Sequence, residues 1–190
     1  MKTWNCPKKQ LARTETILSQ TCLNQYWSMA GYCTPGGELD QILSTGFIQP
    51  EQFHGVEITK DIYDANRLAY PDVSWHHGDF LKVMQHADAF NPSLVNADLL
   101  QTIDTAAEYI SSLLYLLTPF DSTLIANIIM KHRWYRTTIE HVLQKLTSCQ
   151  QFRYALNEGW THDNRCYLYP GTGTRSRTVM GTFIFQHLTN

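Results

Sequence analysis

A paired glycine, Gly36-Gly37, stands at the mouth of a helix-forming stretch, and about 20 positions later an acidic residue, Glu57, closes an apolar run. A second acidic residue, Asp79, closes the next run in Ser74-Trp75-His76-His77-Gly78-Asp79-Phe80. Glycines at a strand-to-helix turn let backbone approach a ligand, and a carboxylate at the following strand end can accept from sugar hydroxyls. This layout constrains the chain to an open α/β sheet with a nucleoside pocket at one edge.

The rest of the chain reads as strands and helices in alternation. Strands are predicted over 26–31, 53–58, 73–77, 93–100 and 124–130, the last a nearly continuous apolar run of the kind buried on both faces of a parallel sheet. A weak helix is predicted over 8–26. Further helices follow Gly37 as far as Gly46, run from Thr59 to just before Pro71 with Ile62, Ala65, Leu68 and Ala69 inward, and cover 80–90, 104–117 and 136–146. The strongest helical period is in 104–117, where Ala106, Ala107, Ile110, Leu113, Leu114 and Leu117 fall at i, i+3, i+4 spacing. After residue 150 the character changes: 152–156, 166–169 and 179–185 read as extended, the last two joined by a turn-rich stretch into an antiparallel hairpin.

At 190 residues, 43% apolar and 12% aromatic, the chain is expected to form a single domain over 1–190, with 1–25 a helical extension. A formal net charge of −2 excludes a generally basic nucleic-acid coat. Five widely spaced cysteines without a C-x-x-C pair suggest reduced thiols rather than a zinc cluster or a disulfide framework. His76 and His77 are adjacent and so face opposite sides of a strand, which argues against a metal site. No run reaches the roughly 18 to 20 apolar residues of a membrane span, so a cytoplasmic protein without a membrane partner is expected.

Five strand-helix alternations closed by a hairpin resemble the class I S-adenosylmethionine-dependent methyltransferase fold over roughly residues 26–188. The resemblance implies a Rossmann-like three-layer sandwich around a seven-stranded, mostly parallel sheet with an antiparallel C-terminal hairpin. Gly36 and Gly37 match the end of that family's first motif, although Ala30 replaces its acidic residue, and Tyr32 and Thr34 stand where glycines are usual. Glu57 matches the ribose-binding carboxylate of the second motif, or is a solvated strand-end glutamate. Asp79 and Phe80 match the adenine-side pair of the third, or Asp79 caps the following helix. In Asn96-Ala97-Asp98-Leu99, the place of the fourth motif, Asp98 is the candidate catalytic residue or, again, a helix cap.

Lys131-His132-Arg133-Trp134-Tyr135-Arg136 follows the fifth strand at the ligand-binding edge. Arg133, Trp134 and Arg136 there could hold phosphates and stack a base, or form an ordinary solvated loop. The resemblance therefore implies a methyltransferase using S-adenosylmethionine, with a nucleic acid or nucleotide the favoured acceptor. A methyltransferase-like binding or scaffold protein that has lost catalysis is the alternative suggested by Ala30, Tyr32 and Thr34. A nicotinamide dehydrogenase ranks third, since a full G-x-G-x-x-G is absent.

Overall fold

The computed structural model describes residues 7–19, 23–31, 33, 35–132, 135–170 and 178–187. Along the chain run α1 (Pro7–Leu18), β1 (Tyr26–Met29), α2 (Glu38–Ser44), β2 (Phe53–Glu57), α3 (Lys60–Ala69), β3 (Ser74–His77), α4 (Phe80–Gln85) and β4 (Leu94–Thr102). They continue with α5 (Ile103–Leu117), β5 (Ser122–His132), β6 (Tyr135–Arg136), α6 (Ile139–Ser148), α7 (Gln150–Asn157), β7 (Thr161–Pro170) and β8 (Val179–His187). The sheet has the order β3-β2-β1-β4-β5-β8-β7, with the two-residue β6 turned back onto β5. β1 through β5 pair in parallel and β8 enters antiparallel between β5 and β7. The expected seven-stranded sheet with a closing hairpin is therefore present, plus one short extra strand.

Each face of the sheet carries its own core. Trp27, Val56, Val95, Ala97, Leu124, Ala126 and Phe183 point to the face covered by α4, α5, α6 and α7. Tyr26, Phe53, Leu94 and Ile125 point to the other, against Ile17 of α1 and Leu39 and Ile42 of α2. α5 follows its predicted stripe: Ala106, Ile110, Leu113, Leu114 and Leu117 are all buried. Each such Leu or Ile contributes about 2 kcal/mol of burial free energy, which holds the helix across the middle of the sheet. His187 fastens the end of β8, its ring nitrogens 2.9 Å from the Phe120 carbonyl oxygen and 2.8 Å from that of Glu158.

Five expectations need correction. The helix expected over 8–26 ends at Leu18, and residue 26 already belongs to β1, where Tyr26 and Trp27 alternate between the two cores. Residues 152–156, expected to be extended, lie in α7, because Phe152 and Ala155 are three positions apart and both turn inward against α5, a helical spacing. The helix expected from 136 begins at Ile139, where Thr138 caps it by accepting from the His141 amide at 3.2 Å; Arg136 belongs to β6 instead. The helix expected over 80–90 ends at Gln85, and Ala89 takes a left-handed φ of 49°. In α3, Leu68 is 86% exposed, whereas Asn66 is fully buried because its amide has partners outside the helix.

Candidate functional site

The segment leaving β1 starts with the Ala30 amide donating to the Val56 carbonyl, 3.3 Å, which continues the parallel pairing one residue beyond the strand. Gly31 then turns the chain with φ +56°, a left-handed value that disfavours a side chain. Asn66 of α3 meets this turn with both ends of its amide: Nδ2 donates to the Gly31 carbonyl at 2.6 Å and Oδ1 accepts from the Cys33 amide at 3.0 Å. Gly36 is left-handed as well, φ +71°, and its amide donates to the Asp40 carboxylate at 2.5 Å. A Cβ built on Gly31 or Gly36 would meet no atom within 4 Å beyond the adjoining residues, so among the described residues open space adjoins both. Gly37, at φ −80°, is the N-cap of α2.

Strand register sets the carboxylates relative to that turn. β1 pairs with β2 through Met29 and Val56, so Ala30 stands level with Glu57. Continuing the Ser28–Asn96 pairing by two residues sets Ala30 level with Asp98, which is itself in register with Asn127 of β5. By strand alternation Glu57 shares the face of Phe53, and Asp98 that of Leu94, the side covered by α1 and α2. Glu57 and Asp98 thus sit at the same height on the same face, two strands and about 10 Å apart in backbone.

Each carboxylate also has a local structural duty. One Glu57 oxygen accepts from the Thr59 amide at 2.7 Å, ahead of the first turn of α3. Asp79 is the N-cap of α4, its Oδ1 accepting from the Lys82 amide at 3.1 Å, so the capping reading is realised in the structure. The preceding amide of that turn, Leu81, donates to the Tyr109 hydroxyl at 3.0 Å; burial pushes this phenol up to about 12. Phe80 is buried in the larger core, where it anchors α4. Asp98 is half-buried where the β4–β5 register shifts, and Leu100 just beyond it is left-handed, φ 48°.

Beneath the site runs a buried polar ladder that crosses four strands. The Thr182 hydroxyl donates to Asn127 Oδ1 at 2.5 Å, the Asn127 amide donates to Asn96 Oδ1 at 3.1 Å, and the Asn96 amide donates to Ser28 Oγ at 3.2 Å. None of the four is exposed. Asn127 is a lone polar residue inside Leu-Ile-Ala-Asn-Ile-Ile-Met, and that interruption was the available signal for it. Asn66 gave a similar one, four positions from Ile62 on a helix.

Lys131 and Arg136 are directly opposite each other on β5 and β6, and both are exposed. Like charges in facing positions repel, which favours an anion between or above them. Arg133 and Trp134 lie outside the described residues, as does the turn carrying Arg175 and Arg177. On the opposite face, His54 Nδ1 lies 3.1 Å from His76 Nε2, and both rings stack on Trp27 at 4.3 and 4.9 Å. His77 points the other way, its Nε2 3.1 Å from the Ile58 carbonyl. Among the described residues no three His, Cys, Asp or Glu side chains converge as a metal site, and no described helix is long and apolar enough to cross a membrane.

No family model matches the sequence, and no curated protein does. Solved structures do match in shape. The N-methyltransferase NodS of Bradyrhizobium japonicum, crystallised with S-adenosyl-L-homocysteine, is 14% identical with a TM-score of 0.59, covering 97% of this chain and 90% of its own. A S-adenosylmethionine-dependent methyltransferase of Clostridium acetobutylicum is 6% identical with a TM-score of 0.58 over 97% and 93% of the two chains. A candidate tRNA (m1A22) methyltransferase of Streptococcus pneumoniae is 11% identical with a TM-score of 0.55, over 94% and 71%. The fold is that of the class I methyltransferases. In a class I methyltransferase fold the sheet order reverses between β1 and β4, and ligands of open α/β sheets bind outside the strand ends at such a reversal. The Gly31 turn and Asp98 flank that point here.

Proposed function

We propose that this chain is an S-adenosylmethionine-dependent methyltransferase. The observation that carries the reading is the placement of Glu57 and Asp98 at one height and on one face, on either side of the strand reversal, beside the open space at Gly31 and Gly36. The residues suit the cofactor's chemistry. The Glu57 carboxylate has a second oxygen with which to accept from ribose hydroxyls, and the Gly36–Gly37 turn leaves room for the methionine portion. Carboxylates at Glu57, Asp98 and Asp40 favour a ligand carrying sulfonium and ammonium charge. Asp79 contributes from the cap of α4 on the adenine side, and Phe80 by fixing that turn from below.

When bound, the cofactor supplies an electrophilic methyl group on sulfur. The protein's share is to align the acceptor and, for an N–H or O–H acceptor, to take up its proton, a task for which Asp98 is suitably situated. A phosphate-bearing acceptor, nucleic acid or nucleotide, is supported by the Lys131–Arg136 pair beyond the same strand ends, with Arg133 and Trp134 completing the proposed contact. One similar structure being a candidate tRNA methyltransferase agrees with this reading. Transfer of tritiated methyl to RNA, to mononucleotides and to small amines, compared in parallel, tests the acceptor class.

A second reading, cofactor binding without transfer, draws on the Gly36 amide being held by Asp40 and on Tyr32 and Thr34 replacing glycines. It predicts heat on cofactor binding and no label in any acceptor.

A further inference from the structure

The turn between β1 and α2 is held from outside by one residue of α3. Asn66 is fully buried, and its single amide satisfies the Gly31 carbonyl and the Cys33 amide together, spanning the residue between them. A buried amide with both ends engaged fixes the two groups it joins, since releasing either leaves a buried polar atom unpaired. From the α2 side, Asp40 accepts from the Gly36 amide and Gln41 donates to the Gly36 carbonyl at 3.2 Å. Burial, and next the Asp40 carboxylate, pushes the Tyr70 phenol up to about 12. The described groups of the turn are thus held by side chains of the flanking helices, Asn66 from α3 and Asp40 and Gln41 from α2.

We infer that Asn66 is a positioning residue for the cofactor: it holds the Gly31 carbonyl and the Cys33 amide in the arrangement that S-adenosylmethionine binds. This rests on the methyltransferase reading above. Asn66 touches no ligand itself; it acts through the carbonyl of Gly31 and the amide of Cys33. The chemistry of the clamp separates it from mere packing. An aspartate at 66 has the same shape and still accepts from the Cys33 amide, but its ionised carboxylate opposes the Gly31 carbonyl instead of donating to it. Protonation gives it back a donor, so an Asn66→Asp clamp reassembles in acid.

The test is calorimetry of S-adenosylmethionine with the wild-type chain and Asn66→Asp, from about pH 8 to about pH 5, alongside thermal melts and hydrogen exchange at the Cys33 amide. Asn66→Asp should bind roughly tenfold or more weakly at the alkaline end, at temperatures where both proteins are folded, and approach wild type at the acid end. Asn66→Ala should be weak at every pH. Wild-type binding matched within about twofold by Asn66→Asp across the whole range overturns the inference. If wild type binds no cofactor, the functional reading fails instead. The clamp is then judged by exchange: Cys33 amide protection that depends on Asn66 and on pH in the Asp variant supports it, and protection unchanged by the substitution overturns it.

Discussion

The side-chain amide of Asn127 on β5 donates to Asn96 Oδ1 on β4 at 3.1 Å, in a part of the sheet where neither residue is exposed. Thr182 and Ser28 extend the bond on either side into a ladder that ties four neighbouring strands, with Asn127 level with Asp98. Polar groups in such a place are stabilising only while every partner is present.

Replacing Asn127 with Leu therefore removes an acceptor from Thr182 and a donor from Asn96 at once. Chemical denaturation is expected to show a loss of about 2 to 4 kcal/mol, more than for Thr182→Val, which only ends the ladder. Equal and small losses for the two would show that the ladder is not cooperative.

Gly55 of β2 lies under the indole of Trp75, where a Cβ would come within 2.2 Å of the ring. That ring is not free to swing away, because its Nε1 donates to the Tyr70 carbonyl at 2.9 Å. Gly55→Ala should cost about 1 to 3 kcal/mol and lower the melting temperature, with the loss localised to the β2–β3 edge in hydrogen exchange.

The His54–His76 pair gives stability a pH dependence. Burial, and next the nearness of His76, lowers His54 from 6.5 to about 4, and burial lowers His76 as well. Between these values the unfolded chain binds more protons than the folded one, so stability is full above the ordinary histidine range and falls as pH drops toward 4. Denaturation midpoints measured across that window should decline in acid, and His54→Gln should flatten the decline. An unchanged slope in the variant would assign the acid sensitivity to other groups.

Lys131 and Arg136 face each other across the β5–β6 pair with their charges exposed. If they hold phosphates, changing both to Gln weakens binding of a single-stranded RNA oligonucleotide and lowers the slope of log affinity against log salt by about 1 for each phosphate no longer neutralised. Affinity and salt slope identical to wild type would remove the pair from acceptor binding.

The features legible in the sequence were those set by local period and punctuation. α5 was readable because its apolar residues recur at helical spacing without interruption, and Glu57 because it ends an apolar run a fixed distance after paired glycines. α7 was not: its aromatics and Leu156 imitate a strand, and what makes it helical is the room α5 offers to Phe152 and Ala155. The polar ladder joins residues 31, 55 and 68 positions apart, so Asn127 stood out in its strand while its partners could not be named. Asn66 falls four positions from Ile62 on one helix, but the groups that satisfy it lie 35 and 33 residues earlier, so its partners could not be named from local sequence.

The most direct measurement of the central claim is isothermal calorimetry of S-adenosylmethionine and its demethylated product with the wild-type chain and with Glu57→Ala. Saturable binding by wild type is expected, weakened roughly tenfold or more by loss of the ribose-facing carboxylate. Absence of heat at millimolar ligand, or equal affinity in the two proteins, would contradict it.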